Sequence, residues 1–199
     1  GALGICGGGG YTFKALQTDK RFKAGATLSL FNSGEVRREG FRGSQVDSIQ
    51  ERLATAAKAR ENEAKGGTAQ LTPNMCETAT PEQADAMPYD LYREGYYYYG
   101  KDCAHPGSTF SYTVSSLIEL AGWDARSGAE LIDVPLLMMM GSKADTGYMT
   151  IDCYEKAVNA PMRELFEISG ATHIQTYWKP EYVTKASDKM IEFFGKHLA

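Results

Sequence analysis

No apolar run in this sequence is long enough to cross a bilayer. The longest, around residues 134–141, is under half of the roughly 20 residues that a spanning helix needs. Basic clusters are also missing: 21 lysines and arginines stand against 25 aspartates and glutamates, and no stretch interleaves them with aromatics. With a net charge of −4 the chain lacks the footprint for phosphate backbones, so nucleic acid is not an expected partner, nor is a membrane. There are only four cysteines, Cys6, Cys76, Cys103 and Cys153, with no Cys-x-x-Cys pair and no histidine at zinc-ligand spacing. No metal is expected. Free thiols in a reducing compartment are the simpler reading, with a Cys76–Cys103 disulfide as the alternative, so a soluble, cytoplasmic protein is expected.

What is present is an ordinary globular composition, 43% hydrophobic over 199 residues, enough for one sizeable core. A strand-like segment from Gly1 to Ile5 runs into a glycine-rich turn. Helix-spaced Tyr11, Phe13, Ala15 and Leu16 follow, then a buried strand ending near Phe31. A second unit of the same kind comes late: a strand from Pro135 to Gly141, a helix from about Thr150, and a strand in "RELFEISGATH". A final helix carries Val183, Ala186, Met190, Ile191, Phe194 and Leu198 on one face. Alternating strands and helices imply an α/β fold with a parallel sheet covered on both sides. Residues 34–110 break the pattern. Ser44 is expected to cap a helix that stops at Gly66 and Gly67, and an aromatic segment with Tyr92 and Tyr96 to Tyr99 follows, with no strand. The reading is 1–33 core, 34–110 a helical lid over the carboxyl edge of the sheet, and 111–199 core again.

The turn "GICGGGG" needs a chemical reason, because glycine is costly inside a helix. A phosphate loop would need a Lys-Ser/Thr after its glycines, and a dinucleotide fingerprint would need Gly-x-Gly-x-x-Gly; neither is present, and no cofactor is expected. Gly4, Ile5, Cys6, Gly7 and Gly8 do satisfy the nucleophile elbow Gly-x-Nuc-x-Gly. In that motif the nucleophile sits on a strained strand-to-helix turn, and residues two away must be small for strand and helix to approach. The helix N-terminus favours thiolate at Cys6, and the Gly7 N–H can donate to an oxyanion. An acid and a base should follow in that order. Asp145, just past a hydrophobic strand, and His173, in the loop after the next one, do so. Asp133 precedes its strand and Asp152 reads as the first turn of a helix, which with Asp124 makes them weaker candidates; His105 and His197 read as solvated or packing residues. Tyr148, Tyr177 and Trp178 flank the acid and base and can wall an apolar acyl pocket, whereas Lys143 reads as surface charge.

Together, "GICGGGG", "LLMMMGSKAD" and "GATHIQTYWKPEY" resemble the α/β-hydrolase superfamily, and within it the dienelactone hydrolase-like group, whose relatives include esterases, peptidases and polyketide transferases. The resemblance covers nearly all the chain and implies an α/β-hydrolase fold with a mostly parallel sheet, a helical lid and a Cys6, Asp145, His173 triad. It also implies about 100 residues ahead of the elbow, holding the first strands and the second oxyanion donor. The N-terminal part of the sheet is therefore expected to be missing from this sequence, leaving an open edge. The expected activity is hydrolysis of an ester, lactone or thioester through an acyl-enzyme, on a small-molecule acyl substrate. An acyltransferase using the same triad and a non-catalytic ligand-binding relative are the alternatives. The sequence also admits a homodimer.

Overall fold

A strand buried on both faces needs apolar or small side chains at every position, and two stretches supply them. Gly25–Leu28 (β2) and Leu136–Gly141 (β3) are buried throughout. With Ala2–Ile5 (β1) and Arg163–Ile168 (β4) they form a sheet in the order β1-β2-β3-β4, parallel at every pairing among the described residues. The register aligns Gly4 with Thr27, Thr27 with Met138, and Met138 with Leu165. The helices in chain order are α1 (Gly7–Leu16), α2 (Ser33–Glu39), α3 (Ile49–Ala64), α4 (Met75–Thr78), α5 (Pro81–Asp85), α6 (Asp90–Tyr97), α7 (Leu117–Gly122), α8 (Gly147–Lys156), α9 (Gln175–Trp178) and α10 (Pro180–His197). This computed structural model describes residues 1–107 and 110–198; Ser108 and Thr109, inside the expected lid segment, and Ala199 lie outside the described residues. The chain divides into two units, one of residues 1–32, 88–94 and 125 onward, the other of 33–87 and 95–124.

In the first unit α10 lays Ala186 and Phe193 on one face of the sheet, against Ala24, Ala26, Leu28, Leu137, Met139, Ile168 and Ala171. On the other face Leu16 of α1 stands against Gly25, and Met140 against Gly147 of α8. The face expected for α10 is only partly right. Ile191 is 71% exposed, while Phe193 is buried and Tyr182, Met190 and Phe194 pack beside it. At 100° per residue Ile191 turns past the edge of the stripe that Ala186, Met190 and Phe193 share. The helix expected from about Thr150 begins a turn earlier, at Gly147, so Asp152 falls mid-helix, where it pairs with Arg126 at 3.3 Å.

The second unit is helical, with one antiparallel bridge, Leu71 to Thr113, among its described residues. Helices α2 and α7 meet closely enough that a Cβ on Gly34 would lie 1.7 Å from the Trp123 carbonyl oxygen. Leu53 and Ala56 of α3 pack on Leu117 and Ala121 of α7. Arg52 donates to the carbonyls of Arg37 and Arg38 at 2.5 and 2.6 Å, satisfying acceptors that the end of α2 leaves open. Ser44 does not cap α3. That helix starts at Ile49 after a 3₁₀ turn over Val46–Ser48, and Ser44 ends an earlier turn whose Arg42 and Gly43 hold positive φ. Two left-handed residues break the run that a cap at Ser44 would need.

Candidate active site

β1 ends at Ile5 and runs directly into Cys6, whose backbone holds φ 54° and ψ −124° before α1 begins at Gly7. Positive φ costs a non-glycine residue of order 1–3 kcal/mol and persists only where its surroundings over-determine it. Here they do. The Cys6 N–H donates to the Leu28 carbonyl at 3.0 Å, and the Cys6 carbonyl accepts from Gly9, Gly10 and Phe31 at 2.9, 3.3 and 2.9 Å. The glycines divide the steric work differently from the motif's simple reading. A Cβ on Gly4 would lie 2.2 Å from the Gly8 carbonyl oxygen and 2.5 Å from Thr12 Oγ1, so strand and helix touch at Gly4. A Cβ on Gly8 would meet nothing within 4 Å, whereas one on Gly9 would come within 3.2 Å of the Leu30 Cα. Gly4 and Gly9 are thus the packing glycines. Gly7 opens α1, where first-turn N–H groups have no acceptor within the helix.

Asp145 follows β3 and its Oδ2 accepts the Leu91 N–H at 3.0 Å. His173 follows β4 and is fully buried. Two loops carry these residues, and backbone bonds stitch them: Ser142 N–H to Ile168 O at 3.1 Å, Lys143 N–H to Ala171 O at 2.9 Å, and Gly170 N–H to Ser142 Oγ at 2.9 Å. Cys6, Asp145 and His173 therefore all sit at carboxyl ends of strands in one parallel sheet. Phe31 links two of them, since its N–H holds the Cys6 carbonyl while its ring meets the imidazole edge-on at 6.5 Å.

Both imidazole nitrogens of His173 meet hydroxyl groups, Nδ1 that of Thr146 at 2.5 Å and Nε2 that of Tyr177. A hydroxyl can donate or accept, so these partners suit either neutral tautomer. Burial pushes the pKa of His173 down to about 3, and the ring is neutral at physiological pH. Behind it, Thr176 Oγ1 donates to the His173 carbonyl at 2.7 Å and lies 3.0 Å from the hydroxyl of Ser29, another non-glycine residue with positive φ. Thr146, Thr176 and Ser29 went unread in the sequence because their partners lie far along the chain or are backbone atoms. Of the expected pocket residues, Tyr148 is half-buried on α8 and Tyr177 half-buried beside His173. Trp178 is 45% exposed with the Lys179 ammonium 6.0 Å from its ring centre.

The other acids and histidines lie elsewhere. Asp133 pairs with Lys20 at 2.7 Å on the surface and Asp124 with Arg38 at 3.5 Å. His105 Nδ1 accepts the Gly107 N–H at 3.0 Å in an exposed turn, and His197 leans on the Phe193 ring. None of the four cysteines is in a disulfide. Among the described residues no group of three His, Cys, Asp or Glu side chains could hold a metal, and no helix is long and apolar enough to cross a membrane.

No protein-family model matches the chain. It is 29% identical over 201 residues to the uncharacterized protein YcjY of Escherichia coli and 26% identical over 206 residues to the uncharacterized protein PA2218 of Pseudomonas aeruginosa. Both alignments cover all of this chain, which spans 64% and 52% of those proteins. The crystal structure of hypothetical protein PA2218 superposes with a TM-score of 0.82 at 24% identity over 99% of this chain and 60% of that one. The α/β hydrolase GrgF from Penicillium gives 0.71 at 18% identity, covering 98% and 63%. A monoacylglycerol lipase from Paleococcus ferrophilus gives 0.61 at 15%, covering 98% and 67%. The chain has the α/β-hydrolase fold.

Proposed function

We propose that the protein is a hydrolase of carboxylic esters, lactones or thioesters, working through Cys6, His173 and Asp145. The observation that carries the reading is the positive φ of Cys6 at the junction of β1 and α1, the strained perch on which an elbow nucleophile is presented. The fold supports it, since hydrolase, lipase and esterase are names borne by proteins of this fold.

In the proposed cycle the Cys6 thiol gives its proton to His173 Nε2, which the Tyr177 hydroxyl must first yield. The sulfur bonds to the carbonyl carbon, and the oxyanion accepts the Gly7 N–H. Collapse expels the alcohol or thiol, which takes the proton from His173 and leaves an acyl group on Cys6. Water then gives a proton to the same nitrogen and attacks the acyl carbon, releasing the acid and restoring the thiol. Thr146 holds Nδ1 of the ring, and Asp145, its neighbour in the chain whose Oδ2 accepts the Leu91 N–H, would have to displace that hydroxyl to support the imidazole as it charges; a buried site makes that support necessary.

The test is hydrolysis of p-nitrophenyl butyrate. Loss of a nucleophile removes several powers of ten in rate, so Cys6→Ala should reduce turnover to background. Cys6→Ser should retain a trace that depends more steeply on His173, because an alcohol gives up its proton far less readily than a thiol. Unchanged turnover in Cys6→Ala would refute the reading.

A further inference from the structure

Glu94 takes no part in the cycle above, yet its carboxylate lies partly buried against the loop that carries His173. The Thr172 hydroxyl donates to Glu94 Oε2 at 2.5 Å, and the Gln175 side-chain amide donates to Oε1 at 3.2 Å. Thr172 and Gln175 also grip each other. The Gln175 N–H reaches Thr172 Oγ1 and the Thr172 N–H reaches Gln175 Oε1, both at 3.4 Å. That reciprocal pair has the Thr-x-x-Gln pattern of a capping box, set just ahead of α9, whose own N-cap position is Ile174, and its second residue is His173. The long internal bonds of the box are weak, whereas those to Glu94 are charge-assisted and therefore stronger. One turn earlier on the same helix, the Leu91 N–H is held by Asp145. A single short stretch of chain, residues 91–94, thus bonds to the acid loop at one end and to the base loop at the other.

We propose that Glu94 is a positioning residue for His173: it locks the Thr172–Gln175 box that sets the imidazole, and with the Leu91–Asp145 bond makes residues 91–94 a strut between the two loops. The inference rests on His173 being the base. Its chemistry suits a carboxylate, because both groups aimed at Glu94 are donors and a carboxylate accepts with both oxygens. Gln in its place would turn an NH2 toward one of them. Burial, followed by the Thr172 bond pulling the other way and then the Asp90 carboxylate, sets the balance that raises the Glu94 pKa; Lys179 opposes the rise and Asp145 adds to it. Holding an ionised group among those neighbours is a poor way to gain stability alone.

The test combines kinetics with imidazole nitrogen NMR of the protein, in which His105 and His197 serve as internal controls. Glu94→Ala and Thr172→Val should each lower kcat on p-nitrophenyl butyrate about tenfold or more while KM stays within about threefold. The His173 ring resonances should shift in both variants, with those of His105 and His197 unmoved. Thr172→Ser, which keeps the hydroxyl, should restore kcat and the His173 signals. Glu94→Ala and Thr172→Val that leave both His173 signals and kcat within about twofold of wild type would overturn the proposal. If Glu94→Ala moves all three histidines together it has unfolded, and Thr172→Val decides. If the wild-type protein shows no ester turnover, the hydrolase reading fails, and the ring resonances alone decide whether Glu94 sets the imidazole.

Discussion

His173 is a fully buried titratable ring, and that has a consequence for stability that can be measured apart from activity. Its pKa falls from an ordinary value of 6.5 to about 3 because burial penalises the charged form. Above pH 6.5 the ring is neutral whether the chain is folded or not, and it contributes nothing to the pH dependence. Below that, the unfolded chain takes up a proton that the folded one refuses, so stability falls as pH drops from about 6.5 toward about 3. The full effect is on the order of a few kcal/mol. Urea titrations at descending pH should show wild type losing stability faster than His173→Gln across that window, and parallel curves would contradict the burial of the ring. Sequence spacing picked out His173 because so few histidines compete and because it follows a strand. Its partner Thr146 was beyond reach, 27 positions away, as was the Thr172–Glu94 bond behind it, which spans 78, whereas Tyr177, four positions on, was read only as a pocket wall. Side chains that meet only through the fold leave no local pattern.

At the scale of elements, β1 and α1 show which part of a motif is steric and which is incidental. The pattern Gly-x-Cys-x-Gly was legible, as was the strand-turn-helix around it, since four glycines beside an apolar strand allow few other structures. What the pattern hid is that Gly4 is packed and Gly8 is not. Gly4→Ala must push a methyl group into the Gly8 carbonyl and should cost about 1–3 kcal/mol, the range for overpacking. Gly8→Ala faces open space in a helix and should be neutral or stabilising by up to about 1 kcal/mol. Thermal melts of the two variants check this, and equal destabilisation would show that the elbow is packed otherwise. The buried strands β2 and β3 were also legible, as continuous small and apolar runs. The centre of the α10 stripe was not, because Ile191 and Phe193 are equally apolar and only the sheet decides which of them faces it.

For the whole molecule, the sheet order was the part least accessible from the sequence, because parallel strands are joined through helices and nothing local reports which strands are neighbours. Its consequence is visible at β1, which forms one edge of the sheet among the described residues and leaves Leu3 and Ile5 44% and 45% exposed. An open strand edge with apolar side chains invites pairing with another chain. A polypeptide of these 199 residues alone should therefore self-associate in light scattering, and Leu3→Lys with Ile5→Lys should reduce that association; such a polypeptide staying monomeric at high concentration would contradict it. The account as a whole depends on the sulfur of Cys6 becoming acylated. The direct measurement is peptide mass spectrometry after brief exposure to p-nitrophenyl acetate and acid quench. The account predicts one acetyl group on the Cys6 peptide of the wild-type protein, absent in Cys6→Ala and greatly reduced in His173→Gln. Turnover with no acetyl at Cys6, or an acetyl there that His173→Gln leaves unchanged, would contradict it.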